Sequence, residues 1–250
     1  MGRRVFLGLG AALAASFAGG LLVWSRPAVF ETRVGEIRSV PLADGSVAAI
    51  NTASVVSVDF AESRRSARIE RGEAWFQVAK DKTRPFVVEA GRVRVQAVGT
   101  AFSVRRREAG EGGVAGAEIL VTEGVVVAWA DGAEGNRVRL AAGSRTFIAD
   151  NAGVERVPVS PAEADRALAW RSGRIDLVAQ PLRLAAAEFN RYNQRQIVIT
   201  DPALLSEQID GTFSANDPEG FARALGVSMN ITVDTADPTK IRIGTPHFTR

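Results

Sequence analysis

Short runs of alternating apolar and polar residues, separated by turn residues, fill residues 31–157. Pairs such as Asp44-Gly45 and Asp131-Gly132 lie between these runs, because glycine supplies the positive φ angles that tight turns need. A period of two places successive side chains on opposite faces of a strand, and no helical period of useful length interrupts the series. The pattern therefore predicts an all-β domain over residues 31–157, with a sandwich-like or solenoid-like arrangement of strands.

The pattern changes after two proline residues, and residues 158–169 are predicted to form a linker with one helical turn. Residues 170–250 then alternate between strand and helix. One helix starts at Pro181 with apolar residues on one face, and another starts with Asp217 as its cap and closes at Gly226. The order β-α-β-β-α-β, followed by a last strand, predicts a small sheet covered on one side by two helices. The chain is therefore predicted to be mainly β with a small α/β domain.

The beginning of the chain contains 20 consecutive uncharged residues, 5–24, preceded by Arg3 and Arg4. About 20 helical residues cross the ~30 Å hydrocarbon core of a bilayer. We interpret residues 5–24 as one membrane span, with residues 1–4 inside and the following chain outside. The competing interpretation is a cleavable signal, since two arginines before an apolar, glycine-containing segment resemble the twin-arginine export pattern. Both interpretations export the residues that follow.

Composition makes several kinds of chemistry improbable. The sequence has no Cys, and its one His, His247, lies three residues from the C-terminus. Disulfides, thiol catalysis, a zinc site and a Ser-His-Asp triad are therefore not expected. The net charge of +3 and the pI of about 9.9 suggest nucleic acid as a partner. The densest basic run, residues 105–107, lacks aromatic neighbours, however, and is predicted to be a solvated hairpin flank. We predict no catalytic residue, cofactor or metal.

Two further functions are compatible with a strand-rich exported chain. Trp75 and Trp129 fit a non-catalytic domain that binds carbohydrate or another envelope component. Two carboxylates could hydrolyse a glycosidic bond, and the residue types do not exclude such a pair, although no pattern indicates one. Trp75 and Phe76 lie on opposite faces of one predicted strand, and packing in the core is the preferred interpretation of both.

Several motifs, in order, resemble the periplasmic domain of the FecR family: a D-G-S turn, a G-E-A-x-F-x-V-A strand, an R-P-F-x-V segment and a V-x-G-T-x-F-x-V strand. The residues that carry these motifs here are Asp44, Gly45, Gly72, Phe76, Pro85, Phe86, Gly99 and Phe102. Residues from Trp170 onward resemble the C-terminal part of the same family, which is similar to the short STN signalling domain of secretins and TonB-dependent transducers.

The resemblance implies a single-span signal transducer of the cytoplasmic membrane with its bulk in the periplasm. Its implied partners are the periplasmic signalling domain of a TonB-dependent outer-membrane receptor, often for iron siderophores, and an extracytoplasmic-function (ECF) sigma factor. Such a role needs protein contact, and an exposed strand edge could accept a partner strand. We predict Trp170, Asn190, Tyr192, Val198 and Phe213 as protein-binding residues. The alternative is that the strands near Val198 and Phe213 are interior strands.

One departure from the family pattern concerns the cytoplasmic domain that should precede the span. In this sequence only residues 1–4 precede the predicted span, and four residues cannot form a domain that binds a sigma factor. Three explanations follow: a start further upstream, a separate polypeptide, or a copy that senses without regulating transcription directly.

Overall fold

A computed structural model of the protein describes residues 27–109 and 113–244. The predicted membrane span at residues 5–24 and the lone His247 lie outside the described residues. The strands of the first part are, in chain order, β1 (Ala28–Glu31), β2 (Arg38–Pro41), β3 (Val47–Ile50), β4 (Val55–Ala61), β5 (Arg64–Arg71), β6 (Glu73–Gln77), β7 (Phe86–Ala90), β8 (Val93–Ala97), β9 (Ala101–Arg107), β10 (Gly116–Glu123), β11 (Val125–Ala130), β12 (Val138–Ala141), β13 (Ser144–Ala149) and β14 (Val154–Pro158).

These strands form two seven-stranded sheets, one in the order β1-β4-β5-β7-β8-β11-β12 and the other in the order β14-β13-β10-β9-β6-β3-β2. The inward residues of both sheets share one core, in which Phe76, Phe86 and Phe102 are fully buried. Alternate residues of the central strands enter this core, as the period of two predicts, whereas the edge strand β14 is exposed throughout. The first part is therefore a β-sandwich, and the prediction of a mainly β chain is confirmed.

The predicted linker is more ordered than its composition suggests. Helix α1 (Pro161–Ala167) begins with a capping box, in which the Ser160 side chain accepts from the Glu163 N–H and the Glu163 carboxylate accepts from Ser160. Ala164 and Leu168 then pack on Leu120 of the sandwich. Two turns of helix and a following 3-10 turn (Ala169–Ser172) thus replace the single turn predicted for residues 158–169.

The remaining elements, together with α1, form what we call the C-terminal unit, residues 161–243. They are β15 (Arg174–Pro181), α2 (Leu182–Tyr192), β16 (Gln196–Ile199), a 3-10 turn (Pro202–Ser206), β17 (Gln208–Ser214), α3 (Pro218–Met229), β18 (Val233–Asp234) and β19 (Lys240–Ile243). The element order β-α-β-β-α-β plus a last strand agrees with the prediction.

The prediction of one sheet covered on one side was wrong. The strands form two sheets, β15-β17 and β16-β19-β18. Helix α2 contacts both sheets, and α3 contacts the three-stranded one. The rings of Phe189 on α2 and Phe221 on α3 stack with centroids 4.3 Å apart, and Phe213 of β17 meets Phe221 edge-on at 5.0 Å. The helix pair therefore lies between the two sheets, because each sheet offers it one apolar face.

The second helix also runs further than predicted. Asp217 caps its start as expected, with its carboxylate accepting from the Gly220 N–H. Gly226, however, lies inside α3, and Asn230 ends the helix in the left-handed conformation at φ 53°. A Cβ atom at Gly226 would lie 3.1 Å from Cγ2 of Val233. This glycine therefore permits close packing of β18 rather than a helix stop.

Candidate interaction site

The strand β17 alternates between a buried and an exposed side. Ile209 is buried and Phe213 is partly buried against the helices, whereas Asp210, Thr212 and Ser214 face solvent. β17 pairs antiparallel with β15 alone among the described strands. The strand thus covers the helix pair with its apolar side and leaves a polar outer side.

The other long side of β17 carries main-chain groups that have no partner among the described residues. The Ala215 N–H donates to the Gly173 oxygen at 2.9 Å, so these two residues form a hydrogen-bonded pair. Pairing alternates along an antiparallel ladder, so Phe213 and Gly211 also bond to β15. The N–H and C=O groups of Thr212, and the Ser214 N–H, therefore point away from β15. β17 is an edge strand and not an interior strand.

The strand β16 is also an edge, but a side chain occupies it. β16 pairs in parallel with β19, with its even-numbered residues bonded to that strand. The Ile197 N–H donates to Oδ1 of Asn190 at 2.6 Å, and Nδ2 of Asn190 donates to the Ile197 oxygen at 2.9 Å. The Asn190 amide thus makes the two hydrogen bonds that a neighbouring strand would make, and it closes this edge at Ile197.

The other two edges of the C-terminal unit are short or interrupted. β18 has two residues. β15 contains a bulge between Leu177 and Gln180, where Ala179 has a positive φ of 46° and donates its N–H to the Asp210 carboxylate at 2.9 Å. Pro181, which has no N–H, follows, and α1 contacts the same strand.

The five predicted protein-binding residues lie in different environments. Trp170 and Tyr192 each expose 3% of their surface, and Phe213 packs on the phenylalanine rings of the helices. Asn190 binds Ile197 as described, whereas Val198 on β16 is exposed. The five are not brought together as one surface. Their contact with a partner stays a prediction, and the burial of Trp170 and Tyr192 gives these two a structural role in the fold.

A polar junction joins α2 to the sandwich. Oε2 of Glu73 accepts from Nη2 of Arg191 at 2.9 Å and from Nδ2 of Asn51 at 3.0 Å. The same Nδ2 lies 2.9 Å from the hydroxyl of Tyr192, and Arg191 also contacts Glu188 at 2.6 Å. Two buried sandwich residues, Asn51 and Glu73, therefore hold the last turn of α2.

The charges of this junction are mutually compensated. Burial raises the pKa of the Tyr192 hydroxyl well above its usual range, so that the group stays neutral. Burial alone would raise the pKa of Glu188, but Arg191 and Arg105 outweigh this effect and lower it. The carboxylate is thus ionised at neutral pH, and the junction is held by complementary charges.

The predicted fold motif of Asp44 and Gly45 has a structural explanation. Oδ2 of Asp44 accepts from Nη1 of Arg65 at 2.9 Å, with the two side chains 5% and 1% exposed. Arg65 also donates to the main-chain oxygens of Arg84 at 2.7 Å and Ala79 at 3.0 Å. The motif thus anchors a buried arginine that sequence reasoning missed. The sequence does contain an indication of this burial, because Arg65 alternates in step with Ala67 and Ile69 and so lies on the inward side of β5.

The other motif residues also serve the sandwich. Phe76, Phe86 and Phe102 form the aromatic centre of the core, and Pro85 precedes Phe86 at the start of β7. Three motif glycines have positive φ angles: Gly45 at 83°, Gly72 at 85° and Gly99 at 96°. At Gly72 a Cβ atom would lie 2.1 Å from Oγ of Ser54, so no side chain fits there.

The residues that suggested other partners are engaged within the protein. Arg105, Arg106 and Arg107 contact Glu188, Asp150 and Glu118 respectively. The guanidinium of Arg171 lies 4.2 Å from the Trp75 ring centroid, and that of Arg137 lies 4.5 Å from the Trp129 centroid. Trp75 packs against the C-terminal unit rather than in the sandwich core. These contacts cover the basic run and a face of each tryptophan.

The described residues contain neither a membrane-spanning helix nor a cluster of metal ligands. In residues 27–109 and 113–244 no helix has the length and apolar character to cross a bilayer. Over the same ranges, no group of three or more His, Asp or Glu side chains is arranged to hold a metal ion.

The fold and site together define a class: a β-sandwich protein with an attached α/β unit, in which β17 is an edge strand. Residues 28–127 match the family model described as FecR protein. Residues 28–127 are therefore a FecR domain, and the resemblance inferred from the motifs in these residues is confirmed.

The same architecture occurs in solved structures. Two crystal structures, at 1.65 Å and 2.50 Å resolution, of a "putative anti-sigma factor" from Parabacteroides distasonis ATCC 8503 superpose with a TM-score of 0.69. The identity is 22%, over 88% of this chain and 100% of the other. This similarity shows that the Parabacteroides protein shares the fold across most of the chain, including the sandwich and the C-terminal unit. No curated protein matches the chain.

Proposed function

We propose that this chain is a FecR-like regulator of the anti-sigma type, which senses an event outside the cytoplasm and transmits it by protein contact. The match of residues 28–127 to the FecR family carries the proposal. The structurally similar Parabacteroides protein is described as an anti-sigma factor, which supports the anti-sigma part of the proposal. In this role the chain is not an enzyme and needs no cofactor.

The finer proposal concerns partners and location. The C-terminal unit acts as an STN-like domain and binds the periplasmic signalling domain of a TonB-dependent receptor, in a response to iron or siderophores. The chain is anchored in the cytoplasmic membrane by residues 5–24, with the described residues in the periplasm. The signal then influences an ECF sigma factor, directly or through another polypeptide.

The geometry supports a contact function. The outer edge of β17 pairs with none of the described strands, and the main-chain groups of such an edge are a ready template for a partner strand. Glu73 and Asn51 fix α2 to the sandwich, so a partner bound to the C-terminal unit is also coupled to the FecR domain.

Titration calorimetry tests the binding step. The protein is titrated with the purified periplasmic signalling domain of a TonB-dependent receptor encoded beside it, and with a signalling domain from an unrelated receptor as the control. We expect saturable heat with the first domain alone. A flat titration with the first domain, or equal heat with both, contradicts the receptor proposal. A reporter for the adjacent sigma factor tests the output, since deletion of the protein should change its transcription.

A further inference from the structure

We propose that β17 is the edge at which the C-terminal unit accepts an extended strand of its partner, and that Asn190 keeps β16 closed to such a strand. This inference rests on the proposed function in that the partner is a protein. It goes further because it assigns the contact to one edge and one orientation of side chains.

The choice between edges follows from their free main-chain groups. Strand addition needs outward N–H and C=O groups at every second residue of an uninterrupted strand. β17 has seven residues and a bulge-free side, although Gly211 in its middle has a positive φ of 137°, whereas β16 has four residues and β18 has two. β15 has eight residues, but its bulge and Pro181 break the outward series.

Asn190 makes β16 a closed edge. Its amide occupies both outward groups of Ile197, at 2.6 Å and 2.9 Å. An incoming strand at β16 would have to displace both hydrogen bonds before it made its own. At β17, no side chain in residues 27–109 or 113–244 bonds to the main-chain N–H or C=O of Thr212, and the Thr212 hydroxyl donates to Asp176 across the ladder at 3.0 Å. Addition at β17 therefore gains main-chain hydrogen bonds without losing any.

The two sides of β17 determine the chemistry of the incoming strand. One side carries Ile209 and the partly buried Phe213, next to the helix pair. The other carries exposed Asp210 and Thr212, beside Asp176 on β15. A strand that continues this sheet should therefore alternate apolar residues toward the helices with polar residues toward solvent. Opposite charge in neighbouring strands is favourable, so a Lys or Arg fits beside the two aspartates.

The test uses hydrogen exchange of the whole protein, with mass spectrometry of proteolytic fragments. The probe is an acetylated peptide of alternating valine and threonine with a lysine at each end, at millimolar concentration. The control peptide has proline at its central position. We expect slower exchange in the fragment that covers Gln208–Ser214 with the probe alone, and no change across Gln196–Ile199. Slowing at β16, or at neither strand, overturns the proposal.

Variants separate the edge from the fold. Proline is tolerated where a strand N–H faces outward. Thr212→Pro should therefore weaken binding of the probe peptide about fivefold, because it removes one main-chain hydrogen bond. Thr212→Val keeps this N–H and should bind normally. Gln208→Pro is a second variant, because Glu207 already has φ −59° and ψ 134°, which suit a residue before proline. In Asn190→Ala the probe should also slow exchange across Gln196–Ile199, and an unchanged β16 would overturn the role of Asn190.

The same measurement with the receptor signalling domain distinguishes this proposal from the proposed function. Binding with protection at β17 supports both. Binding with protection elsewhere overturns the edge assignment and leaves the proposed function in place. If the peptide protects β17 while no heat is seen with the receptor domain, the edge assignment stands and the receptor proposal fails.

Discussion

The buried pair of Asp44 and Arg65 allows a stability prediction with a defined magnitude. Asp44→Asn keeps the shape of the side chain but removes the negative charge. Within the described residues, the other acceptors of Arg65 are neutral main-chain oxygens, of Arg84, Ala79 and Asp81. The substitution therefore leaves a cation that is 1% exposed without a counter-charge.

Removal of one partner from a buried ion pair lowers the free energy of unfolding by about 3–5 kcal/mol. Because Arg65 keeps its hydrogen bonds to main-chain oxygens, we expect a loss of about 3 kcal/mol for Asp44→Asn. For a protein of this size the denaturant slope is about 3 kcal/mol per molar urea, so the unfolding midpoint should fall by about 1 M. Urea unfolding at pH 7, followed by tryptophan fluorescence and circular dichroism, measures this shift.

The matched control is Asp59→Asn, because Asp59 pairs with Arg64, whose side chain is 63% exposed. An exposed pair contributes about 0–1 kcal/mol, so the midpoint should move by less than about 0.3 M. The reasoning is refuted if Asp44→Asn shifts the midpoint no more than Asp59→Asn does.

Three further predictions concern stability. Glu73→Gln should lower the free energy of unfolding by about 2–3 kcal/mol, because the charge-assisted hydrogen bond from Arg191 is lost. Glu89→Gln, in an exposed ion pair with Arg68, is the control and should lower it by less than about 1 kcal/mol. The urea midpoints of the two variants measure the difference. Gly72→Ala should cost more than Gly173→Ala in thermal unfolding, since both glycines have positive φ but nothing lies within 4 Å of a Cβ at Gly173. The pKa of Asp150 is lowered, chiefly by its hydrogen bond from Arg106, so this pair stabilises the protein above the ordinary aspartate pKa of about 4 and loses its contribution as pH falls below that value. Asp150→Asn should therefore lower the urea midpoint at pH 7 and flatten its decline as the pH falls below about 4, and an unchanged pH profile would count against the assignment.

Local patterns predicted the sandwich strands because burial there follows the period of two. Val93, Val95 and Ala97 point inward from β8, for example, while Arg94 and Gln96 between them are partly exposed. The same rule could not find β14, since all five of its residues are exposed and carry no apolar phase. Edge strands of this kind are defined by hydrogen bonds to a neighbour, which a local window does not contain.

The site depended on long-range contacts to a greater degree. Glu73 and Arg191 are 118 positions apart, and neither stands out in its own segment. Val198 and Phe213 were placed on candidate edge strands from alternation alone, and both β16 and β17 are edges. The sequence could not distinguish them, because the closure of β16 depends on the rotamer of Asn190 on a preceding helix.

Three consecutive residues of α2 connect the strand edge with the sandwich. Asn190 binds β16, Arg191 binds Glu73, and Tyr192 lies within hydrogen-bonding distance of Asn51. Because a single helical turn carries all three, β16 and the FecR domain are tied to one rigid element. Asn190→Ala removes only the first connection, so we expect faster hydrogen exchange at β16 with unchanged exchange in α2. Glu73→Gln weakens the contact between Arg191 and residue 73, so hydrogen exchange should become faster in the last turn of α2. Equal exchange patterns in the two variants would contradict a separate role for each contact.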